Sequence, residues 1–105
     1  MKPIVWVGSC REDMRSFPDG ARQSAGFQMN KVQYGEEPDD WKPMSSIGRG
    51  VCEIRVRDSS GAFRVIYVAH FDDVIYVLHA FQKKTRKTSL RDLDLARQRY
   101  RSIAR

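Results

Sequence analysis

Runs of apolar residues alternate along the chain with regularly spaced apolar positions, which predicts a mixture of strands and helices. Four runs predict strands, at Ile4–Val7, Val51–Arg57, Phe63–Phe71 and Val74–Phe81. The turn-forming sequences Asp-Ser-Ser-Gly and Asp-Asp lie between the last three runs. These three strands are therefore predicted to form an antiparallel meander.

Two helices are predicted between the first strand and the meander. Ser9 and Glu12 have the spacing of a capping box, so a short helix should begin there and end at Phe17, before a proline. Pro18 suits the first turn of a second helix, which should end at Gly35. The apolar positions of this second helix recur at intervals of four, four and three residues: Ala21, Ala25, Met29 and Val32.

The remaining segments complete the predicted order of elements. Residues 36–50 contain prolines, glycines and acids, which predicts a loop that Trp41 anchors against the core. Ser89 and Asp92 predict the start of a last helix. Its apolar stripe consists of Leu90, Leu93, Ala96, Tyr100 and Ile103. The order β-α-α-β-β-β-α predicts an α+β fold in which a small, twisted, mainly antiparallel sheet carries helices on one face.

Length and cysteine content narrow the class of protein. A chain of 105 residues fits one domain over residues 1–105 and excludes an enzyme with a separate cofactor module. Cys10 and Cys52 lie 42 positions apart with no CxxC spacing, so we expect free thiols rather than a disulfide framework or a zinc site. The apolar runs are too short to span a bilayer and the amino terminus lacks a signal pattern, which predicts a cytoplasmic protein with no membrane partner.

The positive charge is concentrated at one end of the chain. The formal net charge is +6. Residues 1–82 carry 10 basic and 11 acidic side chains, net −1, whereas residues 83–105 carry 9 basic and 2 acidic side chains, net +7. This polarisation predicts a polyanionic partner, with nucleic acid as the first interpretation and an acidic protein segment as the alternative.

One face of the predicted sheet carries arginines. Because strand side chains alternate, Arg55 and Arg57 point away from the apolar positions of their strand. Arg64 joins them if the hairpin places it opposite either residue. An arginine-bearing face is unsuited to a dry core, so we expect an anion-binding concavity here.

The segment 78–88 combines cations, hydroxyls and one aromatic residue. Lysine and arginine neutralise phosphates, and Phe81 can stack on an unpaired base. The alternative is that Phe81 packs in the core while Lys83 and Lys84 are merely solvated. His70 and His79 both occupy predicted strand positions, where structural histidines are common, and His79 has the better claim to contact substrate because it lies close to Phe81.

Several motifs together carry a family resemblance. They are Phe17-Pro18, Gln33-Tyr34-Gly35, Trp41-Lys42-Pro43-Met44, the Glu53-Ile54-Arg55 run, Phe63-Arg64-Val65-Ile66-Tyr67 and His79-Ala80-Phe81-Gln82-Lys83-Lys84-Thr85. In this order, over nearly the whole chain, they resemble the phage-derived, HigB-like branch of the RelE/ParE toxin superfamily.

The resemblance implies the toxin of a type II toxin–antitoxin pair. Such a toxin is a ribosome-dependent mRNA endonuclease that needs neither a metal nor another cofactor. A ribose 2′-hydroxyl attacks the adjacent phosphate, which leaves a cyclic phosphate and a free 5′-hydroxyl. The implied partners are the ribosome, messenger RNA and a helix-turn-helix antitoxin. The toxin is expected to associate with operator DNA only through that antitoxin.

This chemistry assigns expected roles to the candidate residues. Charge on the phosphoryl oxygens requires cations, so Arg55, Arg64, Lys83 and Lys84 are predicted to be catalytic, together with His79. Residues predicted to bind RNA are Arg57, Phe81, Thr85, Arg86 and Lys87. For the proton transfers, His79, Glu53 and a lysine of lowered pKa remain alternatives. For Glu53, an ion pair with a neighbouring arginine is the structural alternative. Two other functions also remain open: a toxin of the same fold that inhibits DNA gyrase, and a basic RNA- or protein-binding module without catalysis.

Overall fold

A computed structural model describes residues 1–69 and 73–103 and confirms the α+β class. The elements are β1 (Ile4–Trp6), α1 (Cys10–Arg15), α2 (Asp19–Gln33), β2 (Trp41–Pro43), β3 (Val51–Asp58), β4 (Gly61–Val68), β5 (Ile75–Lys83) and α3 (Leu90–Ile103). The predicted end of the third strand, including His70, and the first residue of the Asp-Asp turn lie outside the described residues.

The five strands form one sheet in the order β1-β5-β4-β3-β2. The meander of β3, β4 and β5 is antiparallel, as predicted, and β1 pairs with β5 in parallel. Strand β2 was not predicted, because a three-residue segment has no readable alternation. It pairs with β3 at the edge of the sheet. Pro43 is tolerated there because an edge strand has a neighbour on one side only, so the backbone amide that proline lacks is not required. Trp41 is half-buried in this strand.

The helices divide between the two faces of the sheet. Helices α1 and α2 pack on the face that carries Ile54, Val65 and Val77. The opposite face carries Val51, Ile66, Val68 and Leu78, and α3 covers these residues with Ala96 and its neighbours. The expectation of helices on one face therefore holds for α1 and α2 and is corrected for α3. Apolar strand residues on the second face need cover, and the apolar stripe of α3 supplies it.

The two predicted helix starts have different outcomes. Ser89 Oγ accepts a hydrogen bond from the Asp92 amide at 3.1 Å and donates to Asp92 Oδ2 at 2.7 Å, so the predicted start of α3 is confirmed. The box that opens α1 is wrong, because Ser9 makes no side-chain cap and donates instead to Asp13 Oδ2 at 2.7 Å. The backbone of Ser9 lies at φ −87° and ψ 10°, outside the extended conformation that a capping side chain requires.

Two smaller features complete the fold. Gly35, at φ +80°, follows α2 in the left-handed conformation that favours glycine, which explains why the helix ends there. None of the described helices is both long enough and apolar enough to cross a membrane.

Candidate functional site

Side chains on the face opposite α1 and α2 form three rows across β3, β4 and β5, because the strand register aligns them. The outer row is Arg57, Ala62 and Lys83. The middle row is Arg55, Arg64 and Phe81. The inner row is Glu53, Ile66 and His79, and Lys42 of β2 extends it beside Glu53. The register thus brings together the arginines of two strands and the aromatic residue of a third.

The middle row holds two arginines directly opposite each other. Arg55 and Arg64 are cross-strand partners, which is unfavourable for two like charges unless something lies between or beside them. Together with Arg57, Val56 and Asp40 they line a small concavity of about 80 Å³, here called the cationic cleft. Three guanidinium groups around one concavity give it the character of an anion-binding site.

Arg64 is held rigidly within this cleft. Its side chain is only 7% exposed, and Nη1 donates to the carbonyl of Phe63 at 3.0 Å. Burial lowers the pKa of Arg64, and the charge of Glu53 opposes that shift. The guanidinium stays protonated even so, because arginine is not deprotonated in proteins. Arg64 therefore presents a fixed positive charge with little conformational freedom left to lose on binding.

Glu53 compensates the buried positive charge. It is 1% exposed, and its Oε1 lies 3.5 Å from Arg64 Nε and 3.9 Å from Arg55 Nε. Thr88 donates to Oε2 at 3.2 Å, which ties the segment after β5 to the sheet. From the sequence, Glu53 is a candidate proton acceptor or the partner of a neighbouring arginine. In the structure its oxygens face the two arginines and Thr88, which matches the alternative of a structural ion pair.

His79 lies in the inner row and is paired with a residue of α3. His79 Nε2 is 2.7 Å from Asp92 Oδ1, and Ser89 holds the other oxygen of Asp92. Burial lowers the pKa of His79, and the hydrogen bond with Asp92 opposes that shift. A neutral ring that donates from Nε2 keeps its lone pair on Nδ1. Among the described residues, this buried Nδ1 has no hydrogen-bond partner.

His79 also supports the aromatic residue of the middle row. The rings of His79 and Phe81 stack with centroids 4.5 Å apart and an interplanar angle of 21°. Phe81 is only half-buried, so one side of this stack remains accessible. An unpaired base can stack on such a platform.

The basic segment after β5 divides into two parts. Lys83 belongs to the outer row, and its pKa is lowered by partial burial and by the nearby charge of Arg64. Lys84, Thr85, Arg86 and Lys87 are exposed in the loop before α3 and are not among the lining residues of the cationic cleft. The hydroxyl of Thr85 donates to the carbonyl of Lys87 within the loop. This exposed, basic loop therefore lies outside the lining of the cleft.

One of the basic residues of the carboxy-terminal segment, Arg99, holds elements of the fold together. Arg99 of α3 donates to the carbonyl of Leu78 at 3.0 Å, to Cys10 Sγ at 3.2 Å and to Ser9 Oγ at 3.2 Å. A Cβ at Gly8 would lie 2.9 Å from Arg99 Nε, so the guanidinium packs closely on that backbone.

Both cysteines are free, and burial raises the pKa of Cys10 to about 11.

Two residues of this site, Asp92 and Thr88, are not among the predicted site residues. The spacing of Ser89 and Asp92 was interpreted only as a helix start, and it could have suggested a carboxylate near the amino terminus of α3. Its contact with His79 spans 13 residues and depends on the face that α3 covers. Thr88 belongs to the hydroxyl-bearing segment 78–88, but its contact with Glu53 could not be predicted, because the two residues lie 35 positions apart.

Comparison with known proteins places the chain in a family. A family model described as Phage derived protein Gp49-like matches residues 12–101. The chain belongs to the Gp49-like family. This is a RelE/ParE-like toxin family of toxin–antitoxin systems, so the Gp49-like assignment confirms the resemblance at the level of the superfamily and suggests an antitoxin partner. No curated protein matches the chain. Within residues 1–69 and 73–103, no group of three or more His, Cys, Asp or Glu residues is arranged to hold a metal ion.

Proposed function

We propose that this Gp49-like protein is a toxin of the HigB-like branch and that it cleaves messenger RNA on the ribosome in the cytoplasm. It acts without a metal or another cofactor, and its antitoxin is a helix-turn-helix protein that carries it to operator DNA. The observation that carries the proposal is the cationic cleft, in which Arg55, Arg57 and Arg64 converge beside the exposed side of Phe81. Guanidinium groups beside an aromatic platform suit a phosphate and the base attached to it.

The reaction uses the cations for charge and the RNA for its own nucleophile. The 2′-oxygen attacks the adjacent phosphorus, the bond from phosphorus to the 5′-oxygen breaks, and the products are a 2′,3′-cyclic phosphate and a 5′-hydroxyl. Negative charge that builds on the phosphoryl oxygens is stabilised by Arg55 and Arg64, and the buried Arg64 is already fixed before substrate arrives. The ribosome holds the message in line, which lowers the entropic part of the barrier.

Proton transfer is assigned to His79 and Lys83. Asp92 keeps the Nε2 proton of His79, so Nδ1 is the atom that accepts the proton of the 2′-hydroxyl. Lys83, whose pKa is lowered, donates a proton to the departing 5′-oxygen. Lys84, Thr85, Arg86 and Lys87 bind the RNA backbone beyond the cleft.

Expression of variants in cells without the antitoxin tests this proposal. Arg55→Ala and Arg57→Ala remove exposed or half-exposed guanidinium groups from the cleft and should abolish or strongly reduce growth arrest. Arg101→Ala, an equal loss of charge on the exposed side of α3, is the matched control and should remain toxic. Unchanged toxicity of both cleft variants contradicts the site. Growth arrest with DNA damage and intact messenger RNA indicates the gyrase-inhibiting alternative.

A further inference from the structure

A cavity lies between the carboxy-terminal end of α2 and the sheet, on the face opposite the row that holds Arg55 and Arg64. Its volume is about 310 Å³, at the lower end of the range for small-molecule sites. This cavity, here called the α2 pocket, is lined by the end of α2, the loop that follows, Trp41 of β2 and the cross-strand partners Cys52 and Tyr67. Among the described residues, it shares no lining residue with the cationic cleft.

The inner surface of the α2 pocket is aromatic and apolar. Trp41, Cys52 and Ala69 are only half-buried, so each leaves surface that a ligand can contact. Tyr67 is buried, and its hydroxyl and the Cys52 thiol form a hydrogen bond with each other. Because these two polar groups satisfy each other, the choice of ligand depends on the charged groups at the rim.

The rim of the α2 pocket is acidic. Glu36 and Glu37 are both exposed there, and neither forms a salt bridge within the described part of the chain. The one cation among the described lining residues is Lys2, whose Nζ donates to the carbonyl of Ala69 at 3.1 Å. The pocket therefore carries more negative than positive charge, although the net charge of the whole chain is +6.

This negative potential extends to the inner surface of the pocket. Burial raises the pKa of the Cys52 thiol and of the Tyr67 hydroxyl, and the charge of Glu37 adds to both shifts. The carboxy-terminal end of α2 contributes the negative end of the helix dipole beside the same surface. The face of an indole ring such as that of Trp41 also attracts cations. Three separate features of the α2 pocket thus favour a positively charged ligand.

A guanidinium suits these groups better than other cations do. It is planar, it stacks on aromatic rings, and it pairs with a carboxylate through two parallel hydrogen bonds. An ammonium is more strongly hydrated and makes point contacts only. A divalent metal ion would require several oxygen ligands, whereas most of the lining is aromatic or aliphatic.

We propose that the α2 pocket binds a guanidinium group carried on an aliphatic stem. Glu36 and Glu37 pair with its N–H groups, Trp41 contacts the planar head, and the stem packs on the surface around Cys52. This site is independent of the proposed cleavage of RNA, because it lies on the other face of the sheet. A free guanidinium compound and an arginine side chain of a peptide present the same chemistry to it.

NMR titration of the isotope-labelled full chain tests the proposal. Butylguanidine should shift the indole signal of Trp41 and the amide signals of Gly35 and Gly50 in a saturable way, since all three residues line the pocket. Butylurea has nearly the same shape without the charge and should bind at least about tenfold more weakly. Equal affinity for butylurea, tighter binding of butylammonium, or shifts confined to residues outside the lining overturn the proposal.

Carboxylate variants identify the groups that hold the ligand. The double change Glu36→Gln and Glu37→Gln keeps the size of two exposed side chains and should weaken butylguanidine binding by about fivefold. Glu12→Gln, the same change at an exposed residue of α1, is the matched control and should leave the affinity unaltered. Unaltered affinity in the double variant overturns the proposal, and so does an equal loss in Glu12→Gln.

A second titration distinguishes the two sources of the guanidinium. Its probe is the blocked peptide acetyl-Gly-Arg-Gly-amide, and its control is the same peptide with citrulline in place of arginine. Binding of the arginine peptide at least as tight as that of butylguanidine supports the site and indicates a protein partner. Weaker binding of the arginine peptide supports the site and indicates a free compound. Equal binding of the arginine and citrulline peptides overturns the proposal.

Discussion

Replacing Glu53 by glutamine should be among the most destabilising changes of a single polar group in this protein. Glutamine keeps the shape of the side chain but has one acceptor oxygen in place of two, so the change removes the negative charge and one acceptor, either toward Thr88 or toward the arginines. Arg64 then remains 7% exposed with no carboxylate 3.5 Å away, and Arg55 faces it directly. The variant tests the contribution of the carboxylate without changing the size of the side chain.

The expected magnitude follows from the burial of the pair. Removing one partner of a buried ion pair costs about 3 to 5 kcal/mol, because the remaining charge is left uncompensated. The contact of Arg55 with Glu53 adds little, since that side chain is 37% exposed and its charge is screened by water. We therefore expect Glu53→Gln to lower the free energy of unfolding by about 3 kcal/mol and Tm by about 15 °C.

Urea unfolding of Glu53→Gln, Arg64→Met and the double variant measures this effect. The double variant removes both charges, so it should be more stable than the sum of the single losses predicts, with a coupling energy of at least about 1.5 kcal/mol. Glu37→Gln, which alters an exposed carboxylate, is the matched control and should leave Tm unchanged. A loss of less than about 1 kcal/mol in Glu53→Gln, or strict additivity in the double variant, refutes this reasoning.

Three further predictions concern the cleft, His79 and α3. Inorganic phosphate should raise Tm of the wild-type chain by binding the cationic cleft, and Arg57→Ala should reduce that rise; an equal rise in both proteins contradicts the anion site. Because the pKa of His79 is lowered on folding, the unfolded chain binds more protons, so stability should fall as pH drops below the ordinary value of 6.5. Urea midpoints at successive pH values check this, and His79→Gln should flatten the profile; an unchanged profile contradicts the assignment. Arg99→Ala should cost about 2 kcal/mol in thermal unfolding, because charged hydrogen bonds to Leu78, Cys10 and Ser9 are lost, whereas exposed Arg101→Ala should have no effect.

Local patterns predicted most of the elements, because alternation and helical spacing are properties of short segments. Four strands of the sheet and all three helices could be recognised in this way. Strand β2 could not, since Trp41–Pro43 is too short to show a period. The stripe on α3 showed which side of that helix is buried, but the face of the sheet that it covers depends on tertiary packing.

The candidate site was predictable in its composition and less so in its geometry. Arg55 and Arg64 were identified from strand alternation, and their direct opposition required the hairpin register. The link between His79 and Asp92 joins two elements whose relative position no local pattern specifies. For the same reason, the sequence alone left Glu53 as either a proton acceptor or an ion-pair partner. Its distances to Arg55 and Arg64 favour the ion pair.

The central claim is that the cationic cleft cleaves messenger RNA on the ribosome. The most direct measurement adds the purified chain to a reconstituted translation reaction with end-labelled message and maps the products, with and without ribosomes. The account predicts fragments that carry 2′,3′-cyclic phosphate and 5′-hydroxyl ends, formed only when ribosomes translate the message and absent with Arg55→Ala. Intact message in the presence of translating ribosomes, or undiminished cleavage by Arg55→Ala, would contradict it.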